Sequence, residues 1–196
     1  MHRSIASITL AIVIAVMVFV PAAQAATFKV DPAHSAVTFK IRHFVTKVPG
    51  RFSQFNGTIE MEQSDPATLQ VDFEVAVGSI NTDNESRDGH LRSPDFFDVG
   101  NFPTASFKST EVQGSEAGMA FVTGDFTLHG VTKQIQIPVQ LLGIMPAGEG
   151  KTKAGFETRF VIDRRDYAVS WNKVVEGSGI LGDQVELYVS VEADSI

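Results

Sequence analysis

Residues 131–141 read Val-Thr-Lys-Gln-Ile-Gln-Ile-Pro-Val-Gln-Leu, and they show the most regular alternation in the chain. Successive side chains on a strand point to opposite faces, so this period of two places Ile135, Ile137 and Val139 on one face and glutamines on the other. Pro138 cannot donate to a ladder of backbone hydrogen bonds, which predicts a sheet edge or a bulge at that point. The stretch therefore predicts a β-strand with one buried face.

The same period recurs through the rest of the chain from residue 27 onward. Residues 35–43, 69–77 and 185–191 alternate in this way, and turn residues separate them. Within residues 48–61 the inward positions are even-numbered up to residue 52 and odd-numbered from residue 55. This change predicts a bulge near residues 53–56. The chain is therefore predicted to be built from about eight antiparallel strands.

Strands with one apolar face admit three architectures: a closed soluble barrel, a sandwich and an outer-membrane barrel. Membrane barrels carry girdles rich in Trp and Tyr, whereas this chain contains one Trp and two Tyr. The outward positions of the predicted strands include the charged residues Lys40, Asp72, Glu74 and Arg159. The sequence therefore favours a soluble barrel with an apolar interior.

Residues 87–103 are rich in ionisable groups and clearly do not alternate like a strand. Thr82 and Glu85 have the spacing of a capping box, which predicts a helix start. Pro94 disfavours helix at the residue before it, so we expect the helix to end near Arg92. The segment is therefore predicted to begin with one short helix.

Two interpretations of this helix remain open. Arg87, His90 and Leu91 are spaced to share one face, which could close over a cavity and present its polar groups to a ligand. Alternatively, the segment is a plug in which Arg87 and Asp88 pair at the surface. A charged pair beside many aromatic rings needs partners to offset its desolvation, which is compatible with both roles. The plug would bury the apolar residues Leu91, Phe96, Phe97, Val99 and Phe102.

The N-terminal segment has the features of a secretory signal peptide. An apolar stretch at residues 10–20 precedes Ala23-Gln24-Ala25, a cleavage site of the small-x-small type. The stretch is too short to span a bilayer as a helix, which needs about 20 residues. The sequence therefore predicts a cleaved signal peptide (residues 1–25), one domain (residues 26–196) and no transmembrane span in the mature chain.

Composition limits the partners of this domain. The chain contains no cysteine, so the exported domain has no disulfide and depends on its core for stability. The formal charge of the full chain is −7, and loss of the signal peptide, which contains Arg3 and no acidic residue, makes it −8. An acidic domain with scattered lysines offers no stripe for phosphates to follow, so nucleic acid is not an expected partner.

Residues 163–182 have no steady period and contain Arg164, Tyr167 and the single tryptophan, Trp171. A loop of this length in a compact domain is usually functional or mobile. The segment is therefore a second candidate for a functional region.

Residues 124–133, which read Gly-Asp-Phe-Thr-Leu-His-Gly-Val-Thr-Lys, resemble the YceI-like family of bacterial periplasmic proteins, also called polyisoprenoid-binding proteins. The resemblance covers nearly the whole chain after residue 25. Ala168 departs from the pattern, because the family commonly has glycine there, so the turn after Tyr167 is not fixed by the resemblance. Further motifs match in the order Asp31-Pro32-Ala33-His34-Ser35, Arg87-Asp88-x-His90-Leu91, Asp95-Phe96-Phe97-Asp98, Phe102-Pro103, Phe107-Lys108, Arg164 with Asp166, and Gly182-Asp183-x-Val185.

The resemblance implies an all-β fold, an elongated eight-stranded antiparallel lipocalin-like barrel with one short helix. It also implies a periplasmic location and an interior that holds an amphiphilic isoprenoid lipid, such as a polyprenyl phosphate or an isoprenoid quinone. We expect neither catalysis nor a cofactor or metal ion. Burial of the tail contributes about 0.8 kcal/mol per methylene whatever the lipid, so selection among lipids is expected from the rim.

The head-group candidates are His34, Ser35, Arg87, Asp88 and His90. Arg87 would donate a charge-assisted hydrogen bond to a phosphate, and His90 would be a second donor. For a quinone, His90 or Ser35 could donate to a ring carbonyl. Asp88 is expected to orient Arg87 or His90.

The tail candidates are the apolar residues predicted to point inward, each of which could equally belong to a dry core. They are Val37, Phe39, Ile41, Phe73, Val75, Phe121, Ile135, Ile137, Phe156 and Phe160.

Two other functions stay open. His34, Asp88, His90 and Asp95 could form an acid–base set acting on an isoprenoid substrate, although no nucleophile motif, cysteine or His-Glu-x-x-His pattern accompanies them. A ligand-free envelope stress or interaction protein would instead fill the barrel with its own side chains. A continuous cavity of ligand size would separate the carrier from that alternative. The sequence leaves the oligomeric state open, a homodimer included.

Overall fold

The computed structural model describes residues 25–62, 64–175 and 178–196. The predicted signal peptide therefore lies outside the described residues, apart from Ala25, the first residue of the first strand.

Within these described residues, the chain folds into strands joined by short turns and one α-helix. The helix, α1, spans Glu85–Arg92. Short 3-10 helices occupy Pro32–His34, Pro66–Thr68, Val77–Ser79 and Arg164–Tyr167. The strands are β1 (Ala25–Val30), β2 (Ala36–His43), β3 (Thr46–Phe52), β4 (Phe55–Glu62), β5 (Gln70–Ala76), β6 (Ile80–Asn81), β7 (Thr104–Glu116), β8 (Met119–Leu128), β9 (Val131–Gly148), β10 (Lys151–Asp163), β11 (Val174–Val175), β12 (Ser178–Gly179) and β13 (Leu181–Ser195).

The main sheet closes into an eight-stranded antiparallel barrel. Around the barrel the order is β1-β4-β5-β7-β8-β9-β10-β13, and β1 pairs with β13 to complete the circle. β2 continues β1 along the same partner, because Ala36 pairs with Ser190 and His43 with Leu181. The 15 residues of β13 span about 50 Å at about 3.3 Å per residue. The expected elongated barrel with one short helix is confirmed.

Turns define two ends of this barrel. The helix end contains α1, the turn between β2 and β3, and residues 164–175 and 178–180. The opposite end contains the start of β1 and the end of β13. Within the described parts of the chain, no helix is long and apolar enough to cross a membrane.

Features that were predicted from short stretches of sequence appear in the structure where no distant contact overrides them. The predicted bulge near residues 53–56 is instead a break between two strands, because β3 ends at Phe52 and β4 begins at Phe55. β9 pairs with β8 along its first half but with β10 only from Val139 onward. Pro138 therefore lies where the pairing to β10 ends, in agreement with a local sheet edge. Ala168 keeps a left-handed turn with φ 58° although it is not glycine.

The helix bounds agree with the prediction, but the predicted capping box is wrong. Asn84 caps α1, and its side-chain oxygen accepts a hydrogen bond from the Arg87 N–H at 2.9 Å. The Thr82 hydroxyl instead donates to Asp88. Arg92 donates to the carbonyls of Gly78 and Ile80, both at 2.7 Å, and so ties the end of the helix to β6.

Three phenylalanine rings on the inner face lie over glycines of neighbouring strands. A Cβ added to the glycine would come within 2.2 Å of Phe39 at Gly50, 2.7 Å of Phe73 at Gly57 and 2.6 Å of Phe107 at Gly124. Glycine in a strand often marks such a close approach. The absence of side chains at these positions gives the rings room inside the barrel.

We expect Gly124→Ala to lower the free energy of unfolding by about 1–3 kcal/mol, the usual cost of overpacking. The new Cβ would lie 2.5 Å from the Lys108 carbonyl oxygen, which is backbone and cannot rotate away. Urea unfolding would measure the change. Gly155→Ala is the control, because its nearest neighbour would be at an ordinary 3.5 Å. Equal loss in both variants would contradict this account.

Candidate ligand-binding site

The barrel interior contains two adjoining cavities. The large cavity, of about 310 Å³, lies at the helix end. The small cavity, of about 100 Å³, lies deeper in the barrel. Because the two have lining residues in common, they adjoin within the barrel interior. The shared residues are Val37, Val75, Ala105, Phe126 and Leu187.

Most of the predicted tail residues line one of these cavities. Phe39 and Ile41 line the large cavity, and Val37 and Val75 line both. The remaining members of this group, which line the small cavity, are Phe73, Ile137, Phe156 and Phe160.

Two predicted tail residues are placed differently. Phe121 points outward and is 47% exposed, so its assignment to the interior is wrong. β8 has apolar residues of both parities at this point, and its pairing with β7 and β9 turns Ala120 and Val122 inward instead. Ile135 packs partly buried against the core and lines neither cavity.

Polar side chains of the large cavity are grouped at the helix end. The predicted head-group residues Arg87 and His90 are both exposed and also line the cavity, so they lie at its mouth. Three further groups are not among the head-group candidates: Thr82, Arg164 and Trp171. Arg164 and Trp171 belong to the long segment that the sequence marks as a second candidate functional region. His43 also lines the cavity, where its position at one end of the apolar face of residues 35–43 predicts a polar group at the rim.

Arg87 is oriented by a buried network. The Asp88 carboxylate accepts hydrogen bonds from the Thr82 N–H at 2.9 Å and from the Thr82 hydroxyl at 2.5 Å. Arg87 in turn donates from Nε to Thr82 Oγ1 and from Nη2 to the Thr82 carbonyl, both at 2.7 Å. Asp88 thus helps to orient Arg87 indirectly, through Thr82, which contacts both side chains. Within the described residues, these contacts leave Nη1 of Arg87 unused.

The alternative in which Arg87 and Asp88 pair at the surface is therefore wrong. Asp88 is buried, and its partner is Thr82. Adjacent residues on a helix do not face each other, which explains why the two side chains diverge. The plug interpretation holds in part, because Phe96 is buried and Phe97 and Val99 pack against the core.

His90 belongs to an aromatic cluster that spans the mouth. Its ring lies 5.0 Å from the rings of Phe96 and Trp171, edge to face in both cases. Its Nε2 is 2.7 Å from Asp95 Oδ2. The cluster joins α1 to the segment 164–171 across the top of the large cavity.

Arg164 holds that segment in place. Its side chain is 4% exposed, and it donates to the carbonyls of Gly182, Val169 and Trp171 at 2.7–2.9 Å. Nη2 also contacts Asp183 at 3.1 Å. Burial lowers the pKa of the Arg164 guanidinium from its usual value, while the charge of Asp183 opposes that shift. The cavity therefore has a fixed, buried cation close to its mouth.

His34 and Ser35 do not join this site. His34 pairs with Asp31 at 2.7 Å, and the Ser35 hydroxyl donates to the Glu192 carbonyl at 3.2 Å and accepts from the Glu192 N–H at 3.0 Å. Both lie at the kink between β1 and β2, toward the opposite end, and neither lines a cavity. The period of two in the sequence predicts which face of the strand Ser35 lies on, but not which end of the barrel it is near. The acid–base set of His34, Asp88, His90 and Asp95 is likewise not assembled.

Sequence comparison places the chain among bacterial relatives. The family model for the YceI-like domain matches residues 28–193. A UPF0312 protein of Pseudomonas paraeruginosa is 36% identical over 173 residues, which cover 87% of each chain. Protein YceI of Salmonella arizonae is 34% identical over 173 residues, again 87% of each chain.

Solved structures have the same fold. A YCEI protein of Campylobacter jejuni is 27% identical, covers 76% of this chain and 86% of its own, and has a TM-score of 0.68. BcnA of Burkholderia cenocepacia is 21% identical, covers 83% and 98%, and has a TM-score of 0.74. A polyisoprenoid binding domain from Saccharophagus degradans is 16% identical, covers 86% and 98%, and has a TM-score of 0.65. At these identities the last two show similarity of fold alone.

The small cavity contains one polar atom without a partner. Thr158 lines this cavity, and its Oγ1 is buried with no hydrogen bond to any described residue. A buried hydroxyl without a partner costs about 1–3 kcal/mol in desolvation.

We expect Thr158→Val to raise the free energy of unfolding by about 1 kcal/mol, since it removes an unpaired hydroxyl while keeping the shape. Chemical denaturation would measure it. Thr38→Val is the matched control and should be destabilising, because that hydroxyl donates to the Tyr188 carbonyl at 3.2 Å. Loss of stability at Thr158 as well would contradict the assignment of an unsatisfied hydroxyl.

Proposed function

The chain belongs to the YceI-like family, and on this premise we propose that it is a periplasmic carrier that holds the tail of an isoprenoid lipid in its barrel. The polar head of the lipid, a phosphate or a quinone ring, would lie at the helix end.

One observation carries the proposal: apolar cavities adjoin inside a closed barrel, and the arginine and histidine side chains that line them are all at the helix end. Such an arrangement is complementary to an amphiphile with one polar head and a long apolar tail. The large cavity alone reaches the lower end of the usual range for small-molecule sites, roughly 300–1,000 Å³. Each buried methylene would contribute about 0.8 kcal/mol.

The charge of Arg87 at the mouth suits an anionic head. Arg87 and Arg164 both line the large cavity, but Arg164 is paired with Asp183, whereas Arg87 forms no ion pair with a described carboxylate. Arg87 keeps Nη1 for a ligand after its contacts with Thr82 are made. A guanidinium donates charge-assisted hydrogen bonds to phosphate oxygens. For a quinone, Nη1 of Arg87 would donate to a ring carbonyl, because Nε2 of His90 is already in contact with Asp95.

The comparisons support a binding protein in preference to an enzyme. The family and the similar structures point in that direction, and one similar structure is described as a polyisoprenoid binding domain. A barrel filled by its own side chains is disfavoured by the large cavity.

The test is native mass spectrometry of protein purified without detergent, alone and after a polyprenyl phosphate is offered from ethanol. We expect one lipid per chain. Ala105→Leu is the informative variant, because Ala105 lines both cavities and a larger side chain would obstruct their junction.

We expect Ala105→Leu to bind short prenyl chains as the unchanged protein does and long ones at least tenfold more weakly. A protein that takes up no isoprenoid lipid at all would overturn the carrier. Unchanged affinity for long chains would show that the tail does not extend from the large cavity into the small one.

Arg87→Gln tests the head-group role. Fluorescence titration should show tenfold or greater loss of affinity for a polyprenyl phosphate and little change for the matching polyprenol, because only the phosphate needs the cation. Arg159→Gln, on the exposed outer face of β10, should leave both affinities unchanged. Equal loss of phosphate and alcohol binding in Arg87→Gln would assign Arg87 to the fold rather than to the ligand.

A further inference from the structure

The turn between β2 and β3 has an unusual sequence for its geometry. Its two residues, Phe44 and Val45, are 51% and 95% exposed. Phe44 has φ 50°, a left-handed conformation that two-residue hairpin turns normally give to glycine, asparagine or aspartate. A bulky apolar residue there is strained and also places its ring in water. The fold alone therefore favours neither residue.

These residues border the mouth of the large cavity. The Phe44 N–H donates to the Ile180 carbonyl at 2.8 Å, and the Ile180 N–H donates to the Lys173 carbonyl at 3.0 Å. Ile180 lines the cavity, and Val174, next to Lys173, is 65% exposed. Phe44, Val45 and Val174 thus form an exposed apolar rim at the helix end.

Cations accompany the apolar rim. Arg42 is exposed and donates from Nη1 to the Phe44 carbonyl at 2.8 Å. Lys173 precedes Val174 and is exposed, and Arg87 lies at the mouth. Within the ranges that the structure describes, none of these three forms an ion pair with a carboxylate.

Two of the described acidic groups at this end are paired with cations, because Glu186 contacts Lys47 and Asp183 contacts Arg164. Glu85, at the start of α1, is exposed and forms no ion pair with a described residue. Three cations without an ion pair to a described carboxylate therefore lie beside the apolar rim, although the whole chain is acidic. Charges beyond about 10 Å are largely screened at 0.1 M salt, so these nearby cations govern a close contact.

We propose that the apolar rim, together with Arg42, Arg87 and Lys173, docks the helix end onto an anionic phospholipid bilayer. Apolar side chains next to basic ones are the combination by which proteins bind at the interface of anionic membranes. Docking in this orientation turns the mouth of the large cavity toward the lipids. The docking itself needs no cargo, whereas its purpose, transfer of a lipid between membrane and barrel, rests on the proposed function.

The charge pattern argues against a second copy as the occupant. Two helix ends that meet face to face would oppose their cations, which is unfavourable. An anionic bilayer supplies the opposite charge and an apolar layer at once.

Vesicle flotation tests the proposal. We expect the protein to float with phosphatidylglycerol/phosphatidylethanolamine vesicles and to bind phosphatidylcholine vesicles at least tenfold more weakly. Added salt should reduce binding to the anionic vesicles. The vesicles contain no isoprenoid, so the result does not depend on cargo.

The deciding variant is Phe44→Gly combined with Val45→Asn. Glycine relieves the strain at positive φ, and asparagine suits a turn, so thermal stability should stay equal or rise while vesicle binding falls at least tenfold. Leu142→Ser with Met145→Ser is the matched control, because both residues are exposed on β9 toward the opposite end. We expect the control to float like the unchanged protein.

Unaltered flotation of the Phe44→Gly/Val45→Asn variant would overturn docking, and so would equal binding to anionic and zwitterionic vesicles. Sedimentation that shows a dimer dissolved by the same variant would assign the apolar rim to self-association instead. Lipid uptake from ethanol, with no bilayer present, separates the two proposals. Uptake without flotation refutes docking alone, and flotation without uptake refutes the carrier alone.

Discussion

The mouth of the barrel depends on one buried guanidinium. A charge removed from water is tolerated only when it is fully paired, and Arg164 meets this requirement with three backbone carbonyls and Asp183. The same contacts fold residues 164–171 back over the barrel and place Trp171 against His90. α1 and the loop that follows β10 therefore meet because the buried Arg164 guanidinium needs hydrogen-bond acceptors, which the loop supplies. Without Arg164, the carbonyls of Val169 and Trp171 would lose their partner.

The barrel interior is tightly packed in some regions and contains cavities in others. Phenylalanine rings over Gly50, Gly57 and Gly124 fill the barrel where the strands approach closely. The space left over is concentrated in the cavities and is lined mainly by apolar side chains. Hydrophobic residues thus serve both as core and as cavity wall, and alternation alone cannot distinguish these roles. A carrier needs this division, since a fully packed barrel would have no room for a tail.

Sequence reasoning succeeded where the signal was local and failed where distant contacts decided. Pro94 ends α1 at the predicted residue because its effect reaches only its neighbour. Thr82 was assigned to the cap of this helix, yet it binds the buried Asp88, a choice set by how the segment folds back. Phe121 was placed inside because β8 has apolar residues of both parities, and only pairing with β7 and β9 fixes its face. His34 and Ser35 matched a family motif, which gives no information on the end of the barrel where they lie.

Strain and exposure coincide at the same end of the molecule as the polar groups. Local propensity, turn chemistry and burial agree in most of a stable fold, and disagreement is expected where function requires it. Phe44 violates two of these rules together, since it takes a left-handed conformation and stays half exposed. The strand ends at His43, which lines the cavity, so the violation lies one residue from the candidate site. A surface turn far from any site could have used asparagine and glycine without consequence, which makes a role in contact with an apolar surface the simplest physical reason for phenylalanine and valine here.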